Sequence, residues 1–268
     1  KIWAHISGTD LIKDHRGKFY VLEDNLRVPS GVAYMLENRN VMKKVVTELF
    51  NNYKVSPVDD YSSQLYKCLS DASYSKDKKK TIVILSPGVF NSAYFEHAYL
   101  AQQMGIDLVE SSDLSLSDDN YVYMKTISGK KKIDVIYRRI NDDYLDPNVW
   151  IKDSTLGLPG LINSWKEKKI AIVNAPGSGV ADDKAVYAFV PKMIEFYLNE
   201  TPKLAQVKTY LCAFNKDKKY VLDNMNKLVL KPVNESGGYG ILIGPNASKK
   251  ELEEYKQKII NNPRNFVA

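Results

Sequence analysis

Short apolar runs closed by polar or glycine-bearing turns alternate along this chain with longer stretches whose apolar residues recur at helical spacing. "TDLIKD", the polar turn "HRGK" and "FYVLEDN" read as an antiparallel hairpin over residues 9–25, with Gly17 in the turn. Residues 38–50 ("NRNVMKKVVTELF") carry the spacing of a helix, and "YSKDKKK" (74–80) reads as a charged, solvated connector. Beyond it, "TIVILSPG" has the continuous apolar character of a buried parallel strand. A helix pattern follows in "SAYFEHAYLAQQMG", with Gly105 near its end, then strands in "IDLVES", "KKIDVIYRR" and "KKIAIVNAPGSG". "KAVYAFVPKMIEFYLNE" reads as one more helix. Strand and helix alternating in this way argue for a doubly wound α/β unit, whose binding crevice lies at the carboxyl ends of its strands. From about residue 205, "KKYVLDNM", "NKLVLKPV" and "YGILIGP" predict a short helix or turn and two strands. "SKKELEEYKQKIINNP" is an amphipathic helix, with Ser248 as cap, Glu251 three residues later and a proline stop.

Composition narrows the chemistry only a little. The 268 residues carry 38 basic and 32 acidic side chains, a net charge of +6 mixed along most of the chain. That mild excess suits an anionic small molecule, and no basic stripe interleaved with aromatics points to nucleic acid. The longest apolar windows are too short to span a bilayer and no signal peptide opens the chain, so a cytoplasmic protein without a membrane partner is expected. Cys68 and Cys212 match no metal or redox spacing, and His5, His15 and His97 are too scattered for a zinc cluster. The start at Lys1 and the apolar run closing "NNPRNFVA" are those expected of an internal piece of a longer protein.

Three motifs carry the chemistry. In "LVLKPVNESGGYGILIG" an apolar strand presents Lys231, and a loop with Ser236, Gly237, Gly238 and Gly240 returns into a second strand. Glycines let a backbone approach closely, successive N–H groups cradle phosphate oxygens, and a strand-end lysine adds a point charge. The loop is neither a P-loop nor a dinucleotide fingerprint; its alternative is a glycine-rich hairpin turn with an incidental lysine. In "APGSGVADDKAVYAF" a loop after a buried strand leads through Asp182 and Asp183 to Lys184 at a helix start, either as ordinary acidic capping or as a second phosphate contact. On the hairpin, antiparallel pairing around the turn can place Asp10, Glu23 and Asn25 on one side at one end, Glu23 and Asn25 being two apart on one face; the alternative is exposed polar residues at a strand end. Two carboxylates and an amide oxygen are hard donors suited to Mg²⁺ held jointly with substrate phosphates, while Asp24 points the other way.

Together these motifs resemble the ATP-grasp enzymes, in which a "VKP" lysine, a glycine-rich flap, a "DK" lysine and an "LE-x-N" metal strand hold Mg-ATP. "TDLIKDHRGKFYVLEDNLRVPSG" is similar to the metal strand pair of the D-alanine–D-alanine ligases, with the same spacing from first aspartate to glutamate. The metal strand comes first here, an order that resembles the circularly permuted ATP-grasp family, formerly a domain of unknown function. "GTDLIKDHRGKFYVLEDNLRVPSGVAYMLENR", "LSPGVFNSAYFEHAYLAQQMG", "DVIYRRINDDYLDP", "NAPGSGVADDKAVYAFVPKMI" and "LVLKPVNESGGYGILIGP" look like its blocks from end to end.

The resemblance implies a mixed α/β, circularly permuted ATP-grasp-like fold with a doubly wound unit. It divides the chain into a metal-binding part (1–73), an α/β substrate domain (74–204) and a small subdomain with the lysine and flap (205–268). It implies ATP and Mg²⁺ as cofactors, Asp10, Glu23 and Asn25 as metal ligands, and Lys184, Lys231, Ser236, Gly237, Gly238 and Gly240 as the nucleotide set. Lys231, Lys184 and Arg27 are the catalytic candidates, with Arg27, Arg138 or Arg139 standing in for an arginine that the ligases carry where this chain has Gly8. The implied reaction joins a small-molecule or peptide carboxylate to an amine through an acyl phosphate. A catalytically silent nucleotide-binding scaffold and a phosphotransferase are the alternatives. Asn91, Ser92, Tyr94, Glu96, His97, Arg138 and Arg139 are the substrate-binding candidates, with a salt bridge from the arginine pair to Asp142 or Asp143 as the structural alternative.

Overall fold

The computed structural model describes residues 2–235 and 237–268, so Ser236 of the nucleotide set lies outside the described residues. The chain forms two compact units, one of residues up to Ser7 with Leu26–Ser178, the other of Gly8–Asn25 with Gly179–Ala268. The second unit begins with β1 (Gly8–Lys13) and β2 (Phe19–Asn25), the expected hairpin, paired antiparallel. Segment 26–73, expected with the metal-binding part, clusters instead with the α/β unit.

Along the first unit run α1 (Val32–Val45), α2 (Thr47–Asn52), α3 (Tyr61–Asp71), β3 (Ile82–Leu85), α4 (Tyr94–Met104) and β4 (Asp107–Val109). They are followed by β5 (Leu114–Leu116), β6 (Val122–Thr126), β7 (Gly129–Lys132), β8 (Val135–Arg138), α5 (Asp142–Leu145), α6 (Leu161–Lys166) and β9 (Ala171–Val173). Helix α1 starts before the predicted segment, and the chain breaks at Val46 into α2.

The parallel sheet runs β4-β3-β8-β9, as the apolar runs predict. Strands β3, β8 and β9 are buried on both faces. Val83, Leu85, Ile136 and Ile172 enter one core, whereas Ile82, Ile84, Val135, Tyr137, Ala171 and Val173 enter the other, against Leu65 and Leu69 of α3 and Leu100 of α4. Burial on both faces accounts for runs without alternation. An antiparallel sheet β5-β6-β7 contributes Leu114, Val122 and Met124 to the first core.

In the second unit follow α7 (Lys184–Tyr187), α8 (Val190–Leu198), β10 (Ala205–Gln206), α9 (Asn215–Asn224), β11 (Val229–Pro232), β12 (Leu242–Ile243), α10 (Lys249–Asn261) and β13 (Phe266–Val267). The single helix expected over 184–200 is two. Proline lacks the N–H that an uninterrupted helix needs, and Pro191 therefore sits in the first turn of α8. The sheets run β1-β2-β10 and β12-β11-β13, and α10 carries the expected reciprocal Ser248–Glu251 cap. Cys212, Val221, Leu230, Tyr255 and Ile259 form a core beneath β11. Among the described residues no helix is long and apolar enough to cross a membrane.

Candidate functional site

The hairpin's register decides which of its polar side chains meet. Near the turn, Lys13 faces Phe19 and Leu11 faces Val21. A bulge then inserts Leu22, so that Asp10 faces Glu23, Thr9 faces Asp24 and Gly8 faces Asn25. Without that extra residue Asp10 would stand opposite Leu22, and the carboxylates would not share a rung. A bulge of this kind re-aims side chains next to a site. Asp24 lies on the other face, where the Thr9 hydroxyl donates to it at 2.6 Å. Asn25 Nδ2 donates to the Gly8 carbonyl at 3.4 Å, leaving its Oδ1 as an acceptor.

Partial burial and the Glu23 carboxylate within hydrogen-bonding reach raise the Asp10 pKa, and Lys231 offsets this only in part. Two carboxylates brought together on one face, with an amide beside them, form a hard-oxygen donor set. It fits Mg²⁺, which takes one or two protein carboxylates and completes its octahedron with water and phosphate oxygens. Among the described residues no His/Cys/Asp/Glu group of three is assembled, so the chain offers part of a shell rather than a closed cage.

Both candidate phosphate lysines converge on the same carboxylate. Lys184 Nζ stands 3.5 Å and Lys231 Nζ 3.9 Å from Glu23 Oε2. Neither distance is that of a tight hydrogen bond, so Glu23 holds both ammonium groups by charge without locking them. Lys184 opens α7, whose cap Asp183 accepts from the Ala185 N–H at 2.7 Å, and its Nζ donates to the Glu235 carbonyl at 2.7 Å. The acidic-capping alternative therefore describes Asp183, while Lys184 reaches Glu23. The Lys184 N–H also donates to the Val233 carbonyl at 3.0 Å, tying α7 to the end of β11.

Past β11 the chain turns through Gly237, Gly238 and Gly240, all at positive φ, and the Tyr255 hydroxyl donates to the Gly240 carbonyl at 2.8 Å. A Cβ on Gly240 would approach Pro232 Cγ to 2.8 Å, next to Lys231. Gly240→Ala is expected to destabilise the fold by about 1–2 kcal/mol from the left-handed backbone alone. Chemical denaturation measures that loss, and nucleotide affinity should fall with it because the strained side chain presses on β11.

The raised Asp10 pKa has a sign that can be checked. A carboxyl whose folded pKa lies above its unfolded value favours folding at low pH, and that contribution is lost as pH rises through the folded value. Asp10→Asn should therefore melt slightly above the unchanged chain at neutral pH. The gap, under about 1 kcal/mol for a pair this exposed, should close on acidification past the carboxylate range. The same variant should weaken Mg²⁺ binding by about tenfold or more. In the unchanged chain metal affinity should fall with decreasing pH earlier than an ordinary aspartate would dictate. Melting curves and metal titrations across pH measure both.

The remaining candidates lie in the first unit. Arg27 Nε stands 3.8 Å from Asp142, within that unit. Arg138 and Arg139 are buried. Arg138 meets Asp142 at 3.1 Å, donates through Nε to the Asn174 carbonyl at 2.8 Å and reaches the Ile140 and Ala175 carbonyls. It fastens the loops after β8 and β9, the structural alternative stated for this pair.

Glu96 is fully buried and ion-paired with Arg139 at 2.9 Å. It accepts from the Ser30 hydroxyl and from the Gly31 and Ala33 N–H groups. It thus caps α1 from α4, and its oxygens are occupied by protein in place of the expected substrate. His97 is buried with Nδ1 2.9 Å from Ser86 Oγ. Asn91 and Ser92 are exposed ahead of α4, and Tyr94 begins that helix. Ser86, Ser30 and the Leu22 bulge were missed in the sequence. Ser86 ends an apolar run, where a polar residue is a usable signal; the bulge has none.

The whole chain, residues 1–268, matches the family model described as circularly permuted ATP-grasp type 2. It is 51% identical over 267 residues to a protein of Synechocystis named as uncharacterized, covering 100% of this chain and 55% of that protein. It is 40% identical over 264 residues to a protein of Frankia casuarinae named putative glutamate–cysteine ligase, covering 98% of this chain and 30% of the other. The chain thus spans about half the length, or less, of these relatives. Its fold is similar to that of an apo glutathione synthetase-like effector from Globodera pallida, with a TM-score of 0.61 at 13% identity over 97% of this chain and 58% of that one.

Proposed function

The chain belongs to the circularly permuted ATP-grasp type 2 family, and from that premise we propose that it supplies the Mg-ATP site of a carboxylate–amine ligase acting through an acyl phosphate. The observation that carries the reading is the convergence of Lys184 and Lys231 on Glu23, across the strand pair from Asp10. Paired lysines within 4 Å of a carboxylate, beside a glycine turn, are poised to exchange that partner for phosphate oxygens.

In this reading Asp10, Glu23 and Asn25 hold Mg²⁺. When bound, the ion neutralises phosphoryl oxygens as a Lewis acid. Lys231 and Lys184 bind the phosphates, and the Gly237–Gly240 turn brings its N–H groups over them. The γ-phosphoryl group passes to a substrate carboxylate, ADP leaves, and an amine attacks the acyl carbon to release phosphate. Catalysis is by positioning and charge, so no side-chain nucleophile is required. Arg27 is assigned no step.

The test is release of ADP from ATP and Mg²⁺ that depends on both an acid and an amine. L-Glutamate and L-cysteine are the first pair to try, since a Frankia relative carries the name putative glutamate–cysteine ligase. An amide product in the mass spectrum supports the reading. A phosphorylated product with no amide makes the protein a phosphotransferase, and nucleotide binding without turnover across acid and amine panels makes it a scaffold.

A further inference from the structure

The first unit holds a cavity that the nucleotide chemistry does not use. It measures about 280 Å³, and its lining includes Asn91, His97, Arg139, Asn141 and Tyr144. Its place in the sheet is informative. The chain passes from β3 to neighbouring β4 on one side and later returns to β8 on the other, so the strand order reverses between β3 and β8. Residues just beyond those strand ends, Pro87 after β3 and Arg139 and Ile140 after β8, line the cavity, with Ala93 and His97 of the α4 start. A crevice at the carboxyl ends of parallel strands, where the order reverses, is where α/β sheets bind ligands.

The lining offers donors. Arg139 is 3% exposed; its Nη1 donates to the Pro29 carbonyl and the Tyr137 hydroxyl, and its Nη2 to Glu96. Its Nε–H is buried and has no hydrogen-bond partner among the described residues. A guanidinium so tightly held, with one N–H left over, is a fixed donor whose desolvation is offset only when an acceptor arrives. His97 is 1% exposed. Burial, then the Arg139 charge, push its pKa down to about 4, so the ring is neutral at neutral pH. Ser86 Oγ accepts from the Gly88 N–H at 3.1 Å and lies against His97 Nδ1 at 2.9 Å. In the tautomer in which the Ser86 O–H donates to Nδ1, the ring proton sits on Nε2 as a second donor. The Asn91 side chain spends its Oδ1 on the Ala93 N–H and keeps its Nδ2 hydrogens. No Asp or Glu lines the cavity among the described residues.

We propose that this cavity is a binding site for the carboxylate of a small aliphatic acid, received by Arg139 Nε–H, His97 Nε2–H and Asn91 Nδ2. The volume suits an acid of amino-acid size rather than a nucleotide. Glu96 takes no part in binding; it holds Arg139 in place and neutralises it, so affinity comes from oriented donors instead of net charge. Calling the acid a ligation substrate rests on the ligase reading above, whereas the binding itself does not.

The test follows the Arg139 Nε–H and His97 ring signals by ¹H–¹⁵N NMR of the full chain, titrated with glutarate and, separately, with neutral glutaramide. Both signals should shift saturably with glutarate and not with glutaramide. Asn91→Ala, a change at an exposed side chain, should weaken glutarate binding by about tenfold, and His97→Gln by at least as much. Lys231→Ala, in the other unit, should lose ADP binding and keep the glutarate response. An absent response, an equal response to glutaramide, or full binding in the Asn91→Ala variant overturns the proposal, whether or not ADP binds. Glutarate binding without ADP binding leaves this site standing while the nucleotide reading falls.

Discussion

Replacing Lys231 by alanine is expected to weaken binding of ADP with Mg²⁺ by about 100-fold, the scale of one charge-assisted phosphate contact in a partly buried site. The effect is large because Lys231 has two roles in this geometry. It stands 3.9 Å from Glu23, where it helps neutralise the Asp10–Glu23 pair, and it projects from the strand that launches the glycine turn. Removing it leaves Lys184 alone beside two carboxylates, and phosphate must then approach a more negative site. Lys231→Arg should recover only part of the affinity, since a planar fork does not replace a compact ammonium. Isothermal titration of the variants against the unchanged chain measures this. Affinity within threefold of the unchanged chain would remove Lys231 from the site.

Glu96→Gln is expected to destabilise the first unit by about 3–5 kcal/mol, the range for a buried ion pair deprived of one partner. Arg139 would keep its charge in the core with its Glu96 contact gone, and α1 would lose a charged acceptor for the Gly31 and Ala33 N–H groups at its start. Removing both charges as Glu96→Gln with Arg139→Met should cost less than the sum of the single changes, because no buried charge then stands alone. Urea denaturation of the single and double variants gives the coupling. A loss under about 1 kcal/mol for Glu96→Gln would mean that its oxygens are not the cap described here.

These expectations also show what was legible in the sequence. The hairpin, the apolar parallel strands and the capped α10 could be read directly, because their patterns are local: a two-residue period, an unbroken apolar run, a Ser-x-x-Glu start. Lys184, Lys231, Asp10, Glu23 and Asn25 stood out as candidates in three separate motifs, and the resemblance joined them. Their actual meeting depends on the Leu22 bulge, which no residue type signals. The sheet β5-β6-β7 went unread because its strands are three to five residues long and β7 is mostly lysine. The burial of Glu96, Arg138 and Arg139 was not legible, for a physical reason. Charged side chains ordinarily mark a surface or a ligand, and these are buried by partners supplied from distant segments, Pro29–Ala33 and Asn174–Ser178. Pairing of that kind is long-range, and a single sequence does not display it.

The most direct test of the central claim uses Mn²⁺ in place of Mg²⁺, bound together with ADP, as a paramagnetic marker in NMR spectra of the full chain. The account requires the strongest signal broadening at Asp10, Glu23 and Asn25, with Lys184 and Lys231 next, and its loss in the Glu23→Gln variant. Broadening centred elsewhere, or unchanged by Glu23→Gln, would mean that the strand-end carboxylates do not hold the metal, and the proposed Mg-ATP site would fall with them.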